Sequence, residues 1–254
     1  MSPADFTKHR WLMDGAMATY LFSKGASRPV ENLNLTAPDM VAQVHREYLE
    51  AGAQIIRTNT FGGPLETKPA GVRLAREVVR DGGLVAGVIG SIGGDGTRAL
   101  FRECAAALEG VDLFVLETFT DMEELRAAVD GVRDAAGGNV PVMAQVSVEA
   151  DGRLRGGVEP EQYGPALNAL TADVIGFNCS FGPQSILAAF ERVRAVTDKP
   201  MSASPNAGFK TLFTPAYMAD YARRFLNEGA LIVGACCGST PEHIQRMARS
   251  VTLV

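Results

Sequence analysis

Two adjacent cysteines, Cys236 and Cys237, lie in the run Gly234-Ala235-Cys236-Cys237-Gly238-Ser239-Thr240, directly after the apolar stretch Ala230-Leu231-Ile232-Val233. A third, Cys179, follows Val174-Ile175-Gly176-Phe177-Asn178 in the same way. Thiols at the ends of two apolar runs can meet at one end of a sheet, and three thiolates with one open position are a donor set that suits Zn2+. Neighbouring residues of a regular strand point to opposite faces, so Cys236 and Cys237 can share one ion only if the backbone turns irregularly. The flanking Gly234 and Gly238 permit that turn. A free thiol has a pKa of about 8.5, so coordination to a metal raises the thiolate fraction at neutral pH without a protein base. The competing reading is three small buried core residues. Cys104, inside the stretch Ala99 to Leu108, is expected to be a packing residue of a helix.

Positioning these thiols requires strands of defined direction. Eight short apolar runs occur, near Trp11 to Gly15, Gln54 to Thr60, Leu84 to Gly90, Asp112 to Thr118, Val140 to Val146, Asp173 to Cys179, Lys199 to Ser204 and Ala230 to Cys236. Each is followed by a polar loop and a stretch of helical periodicity. From Met122 to Asp134, for example, Leu125, Val129 and Val132 fall on one helical face. Start signals accompany the helices: Thr120 with Glu123 as a capping box, Pro215 after Thr214, and Pro241 after Thr240. Eight βα units without a composition break predict a closed (β/α)8 TIM barrel as a single domain over residues 1–254, with an open doubly wound sheet as the alternative.

In such a barrel the chemistry collects at the carboxyl ends of the strands. Asp14-Gly15, Thr58-Asn59-Thr60-Phe61, Glu117-Thr118-Phe119, Asn178-Cys179-Ser180, Asn206-Ala207-Gly208 and Cys236-Cys237-Gly238 all fall there. Asp14 and Glu117 at a barrel mouth can bind a substrate ammonium group, or serve as caps or loop ion pairs. Asn59, Asn178 and Asn206 can orient the site or satisfy loop backbone. His9, His45 and His243 are expected in surface or packing roles. Gly90 to Gly96 reads as a βα loop rather than an anion cradle, and neither a Walker loop nor a Rossmann fingerprint is present.

Composition narrows the function class. The chain has 254 residues, 46% of them hydrophobic and 21% charged, a net charge of -5 and four cysteines. That balance gives no global basic field for nucleic acid or an anionic membrane. The apolar runs are far shorter than a membrane span, and the first residues lack a signal-peptide core, so a cytoplasmic protein with reduced thiols is expected.

The segments Asp14-Gly15-Ala16, Thr58-Asn59-Thr60-Phe61-Gly62, Glu117-Thr118-Phe119, Asn178-Cys179-Ser180, Pro205-Asn206-Ala207-Gly208 and Gly234-Ala235-Cys236-Cys237-Gly238-Ser239-Thr240-Pro241 resemble, in order, the homocysteine S-methyltransferase family. The homocysteine-binding module of cobalamin-dependent methionine synthase is the most similar type. The resemblance implies a (β/α)8 barrel in which Cys179, Cys236 and Cys237 hold zinc and the homocysteine sulfur takes the fourth position. It implies that Asp14 and Glu117 bind the substrate amino group, with Asn206, Thr60 and Phe61 completing the pocket. Methyl transfer would form methionine, from methylcobalamin or methyl-folate presented by a separate polypeptide. Alternative donors are S-methylmethionine, S-adenosylmethionine and betaine, and an alternative role is a non-catalytic zinc- or thiol-binding subunit. The chain departs from the family in a shorter segment from Gly62 to Gly110, in Gly94 after the third strand and in Ser204 before Pro205, so shortened loops are expected.

Overall fold

A computed structural model describes residues 1–79, 82–93, 96–208 and 212–252. Gly94 lies outside them. Eight strands appear where the apolar runs predict: β1 Trp11–Leu12, β2 Ile55–Arg57, β3 Leu84–Gly90, β4 Leu113–Phe119, β5 Val142–Val146, β6 Val174–Cys179, β7 Met201–Pro205 and β8 Ala230–Val233. All neighbours are parallel, in the order β1-β8-β7-β6-β5-β4-β3-β2. A bridge between Met13 and Ile55 closes the sheet, with the Asp14 amide donating to the Ile55 carbonyl. The result is a (β/α)8 barrel.

The helices are α1 Pro3–Phe6, α2 Ala18–Ser23, α3 Leu33–Thr36, α4 Pro38–Glu50, α5 Lys68–Val78, α6 Arg98–Ala106, α7 Met122–Ala136, α8 Pro160–Ala169, α9 Pro183–Arg194, α10 Pro215–Asn227 and α11 Pro241–Ala248. The longer helices bury an amphipathic face against the outer surface of the sheet, whereas α1 contributes Phe6 to the base of the barrel. Leu125, Val129 and Val132 of α7 are all fully buried, as their spacing predicts. Thr214 and Thr240 cap α10 and α11, each ahead of a first-turn proline. The cap of α7 is one residue later than expected: Asp121, not Thr120, accepts the Glu124 amide. Aspartate is a strong N-cap residue, and Glu124 is drawn elsewhere, accepting from the Ser91 hydroxyl and the Ile92 amide. A buried carboxylate therefore holds the described part of the glycine-rich loop.

Two cores result. Side chains from the helices and the outer strand faces form the larger one. The barrel interior forms the smaller, with Met13, Ile55, Val88, Val115, Met143 and Ile232 stacked above Phe6 and Trp11 at the amino-terminal end. Phe6 and Trp11 stack at 5.7 Å, and the Trp11 indole N–H donates to the Phe6 carbonyl. This plug closes the base, so access to the interior is confined to the opposite end.

Candidate metal centre and substrate pocket

At the mouth, the Sγ atoms of Cys179, Cys236 and Cys237 lie within 4.8 Å of one another, with Cys179 and Cys237 3.9 Å apart. Three sulfurs bound tetrahedrally at about 2.3 Å stand about 3.8 Å apart, so the cluster has the spacing of a three-thiolate zinc site. The fourth cysteine, Cys104, is a half-buried residue of α6 packed against the larger core, in its expected role.

The local backbone explains how adjacent cysteines converge. Regular strand β8 ends at Val233, three residues earlier than expected. The amides of Gly234, Ala235 and Cys236 still donate alternately to the carbonyls of Ala203, Asp14 and Pro205. Cys236 is thus carried along the barrel wall to the mouth. The chain then turns at Gly238, whose φ of +80° favours glycine and whose absent Cβ would stand 2.1 Å from the Gly208 carbonyl oxygen. Ser239 fixes the turn, donating to the Cys236 carbonyl and accepting the Ala16 amide.

Cys179 reaches the cluster from a different irregularity. Cys179 and Ser180 have φ of 57° and 64°, and Thr118 at the end of β4 has φ of 68°. Left-handed conformations cost non-glycine residues roughly 1–3 kcal/mol each and persist where their surroundings over-determine them. Asn178 supplies that determination. Its amide oxygen accepts the Thr118 N–H, while its amide nitrogen donates to the Thr118 hydroxyl and approaches the Cys236 Sγ at 3.9 Å. Asn206 donates to the Ser180 carbonyl, and its Oδ1 has no partner among the described residues. Asn59 donates to the Val30 carbonyl and to Asn34, tying down the loop after β1.

Three close thiols share their protons unequally. Bonds donated by Cys179 and Cys236 pull the Cys237 pKa down to about 4. Cys179 is pushed up, because its proton bridges to Cys236 and Cys237 and because the site is buried. Cys236 accepts from Cys179, but donation to Cys237 and burial take it up to about 11. The cluster thus favours a thiolate at Cys237 and holds the protons on Cys179 and Cys236.

The cysteines open into a cavity of about 310 Å³, which is small for a ligand pocket. Arg57, Thr60, Phe61 and Glu117 line it together with the three cysteines. The Phe61 ring covers Gly90, where a Cβ would meet it at 2.5 Å, and Lys68 holds this loop by donating to the carbonyls of Thr60 and Gly62. The Thr60 hydroxyl is bonded to the Val88 carbonyl and to Thr58, so it contributes shape to the wall. Asp14 and Asn206 stand behind the wall: neither lines the cavity.

The residue that sequence reasoning missed is Arg57. It sits between the two acids, with Nε 2.7 Å from Asp14 Oδ1 and Nη1 2.8 Å from Glu117 Oε2. Nη2 donates to the carbonyls of Gly15 and Ala235 at 2.7 Å each. The ion-pair reading of Asp14 and Glu117, left open from the sequence, thus describes their contacts within the chain. Burial raises both carboxyls, Asp14 to about 6, against the pull of Arg57. Two carboxylates and one guanidinium leave one net negative charge. The available signal was a cation in an apolar parallel-strand run, Ile55-Ile56-Arg57, where strands covered on both faces normally read as uninterrupted hydrophobics.

A closed parallel barrel with three clustered cysteine sulfurs beside an acidic pocket at its carboxyl end defines the class of protein to compare. The sequence matches the family described as homocysteine S-methyltransferase over residues 11–251, and the chain belongs to that family. It is 34% identical to a methionine synthase of Mycobacterium tuberculosis and 32% identical to one of Mycobacterium leprae. Each match covers 94% of this chain but 24% of the relative, so the chain spans about a quarter of the length of these curated relatives. Its fold is similar to that of a homocysteine methyltransferase from Escherichia coli, at a TM-score of 0.79 and 24% identity for the apo form, covering 95% of this chain and 96% of that one. The metallated form of the same protein matches with a TM-score of 0.79 at 22% identity, covering 95% and 96% of the two chains.

Proposed function

We propose that this chain is a single homocysteine-binding barrel, residues 1–254, that transfers a methyl group to the thiol of homocysteine and so forms methionine. The observation that carries this reading is the convergence of three cysteine sulfurs within 4.8 Å on a cavity backed by the net-negative cluster of Asp14, Arg57 and Glu117. Cys179, Cys236 and Cys237 would hold Zn2+, which when bound supplies Lewis acidity that keeps the substrate sulfur as a thiolate at neutral pH. Glu117, on the cavity wall, and Asp14 behind it would receive the substrate ammonium group as the acidic side of the pocket. Thr60 and Phe61 would bound the side-chain methylenes, and Asn206 would fix the Cys179–Ser180 turn on which the sulfur cluster depends.

The methyl donor is methylcobalamin or methyl-folate, presented by a polypeptide outside this barrel. The greater length of the methionine synthases to which the chain is similar supports this choice. A cytoplasmic setting accords with thiols that must stay reduced, and no helix of the described residues is long and apolar enough to cross a membrane. Assays of purified protein with homocysteine and each donor test the proposal. Turnover is expected with protein-borne methylcobalamin or with methyl-folate and its carrier. Turnover with S-methylmethionine, S-adenosylmethionine or betaine alone would overturn the donor, and homocysteine binding without transfer from any donor would overturn the catalytic role.

A further inference from the structure

Arg57 makes contacts that a simple neutralising charge would not need. Its guanidinium reaches three strand ends besides its own: Asp14 and Gly15 after β1, Glu117 in β4, and Ala235 after β8. Ala235 immediately precedes the ligand Cys236, and its own amide donates to the Asp14 carbonyl. The backbone that delivers Cys236 is therefore held on both sides of Ala235, by Asp14 through the amide and by Arg57 through the carbonyl. The side chain is only 7% exposed, so these bonds form away from competing water.

We propose that Arg57 is a positioning residue that couples the amino-acid side of the pocket to the metal loop. It holds the two acids through Nε and Nη1 and the carbonyl before Cys236 through Nη2. This inference rests on reading the three cysteines as a zinc site. Its physical basis is the rigidity of the planar fork: Asp14, Glu117 and Ala235 are bonded to one flat group, so displacing one acceptor displaces the donors to the others. A lysine at this position retains the charge but offers three donors from a single atom, which cannot span acceptors on three strands. Outer contacts of this kind fix the orientation of metal ligands, and their loss typically costs about 10–100-fold in metal affinity.

The test is Arg57→Lys in the metal-loaded protein, with zinc affinity measured by chelator competition and geometry by the thiolate-to-metal absorption of the cobalt(II) form. The coupling predicts a zinc dissociation constant raised about ten-fold or more, a shifted cobalt spectrum, and a raised KM for homocysteine. Arg133→Lys, in an ion pair at the opposite end of the barrel, should leave all three unchanged. If Arg57→Lys does not fold, Asp14→Asn replaces it. The Asp14 carboxylate bonds no cysteine and, among the described residues, only the Arg57 amide and guanidinium, so a shifted cobalt spectrum in that variant reports transmission through Arg57. Unchanged zinc affinity and cobalt spectrum in the folded variant, even with a raised KM, would overturn the coupling while leaving the zinc site intact. A wild-type protein that binds neither metal would instead overturn the zinc reading itself.

Discussion

The two ends of the barrel use the same chemical device to different effect. At the base, Arg76 bridges Asp112 and the Gly110 carbonyl, while Asp112 accepts the Val85 amide from the neighbouring strand. Arg133 repeats the arrangement with Asp173 and the Thr171 carbonyl, and Asp173 accepts the Val142 amide. At the mouth, Arg57 likewise joins carboxylates to carbonyls. The side chains of the basal pairs are 37% and 23% exposed for Arg76–Asp112 and 17% and 22% for Arg133–Asp173, whereas those of Arg57–Asp14 are 7% and 2% exposed. Water reaches the basal clamps more than the mouth clamp, so each fastens consecutive strands at a smaller gain or cost. The mouth clamp holds charges out of water, where their mutual attraction must offset desolvation. Asp14 records that cost. A carboxyl raised on folding contributes stability below about pH 3.8 that is lost as the pH rises through about 6, so at neutral pH its burial opposes folding. With strained backbone at Thr118, Cys179 and Ser180 nearby, the mouth is organised for binding and the base for stability.

The largest test of this contrast is Arg57→Met. Removing the cation leaves Asp14 and Glu117 buried without their counter-charge, and the expected loss is about 3–5 kcal/mol of unfolding free energy in a urea titration. A loss no greater than that of Arg133→Met would erase the distinction between the two ends. A third buried ionisable group sharpens it. His45, on α4, is fully buried with neither ring nitrogen hydrogen-bonded among the described residues, and burial lowers its pKa from 6.5 to about 4. A depressed histidine contributes stability that is present above about pH 6.5 and is lost as the pH falls through about 4. The expected acid loss is about 3 kcal/mol, opposite in direction to the Asp14 slope over much of the same range. Denaturant midpoints followed from pH 7 to 4 should fall less steeply in His45→Leu than in the wild type. An equal slope would remove His45 from the acid limb. The smallest effect belongs to the base. Arg76→Gln, in the more exposed of the two basal clamps, should cost no more than about 1 kcal/mol at low ionic strength and still less in 1 M salt. A large, salt-insensitive loss would show that the basal clamps bear as much as the buried one.

How much of this was legible in the sequence follows from what each feature depends on. All eight strands could be located because parallel strands buried on both faces read as continuous apolar runs bounded by glycine, proline and polar residues. The alternating βα order then selected the barrel. The site's thiols were legible because two adjacent cysteines between glycines at a strand end are chemically unusual. The roles of Asp14 and Glu117 were legible only as a choice between ligand binding and ion pairing, because the decision lies with a third residue, Arg57, remote from both in sequence. Nothing local to Asp14 or Glu117 identifies that partner. Asn178 illustrates the same limit. It holds a left-handed Thr118 60 residues away and approaches Cys236, contacts fixed by strand register rather than by spacing along the chain. The cap of α7 falls on Asp121 rather than Thr120, and Glu124, whose amide it accepts, commits its own side chain to the loop after β3, another contact across the fold.

The central claim is that three cysteines at the mouth present one zinc ion to a substrate thiol. Zinc K-edge absorption of the purified protein, before and after adding homocysteine and alongside Cys236→Ala, tests it most directly. The expected result is about one zinc per chain with three sulfur neighbours near 2.3 Å, rising to four sulfurs with homocysteine, and loss of the ion in the variant. A sulfur count that does not rise on adding homocysteine, or a zinc content unchanged by Cys236→Ala, would contradict it.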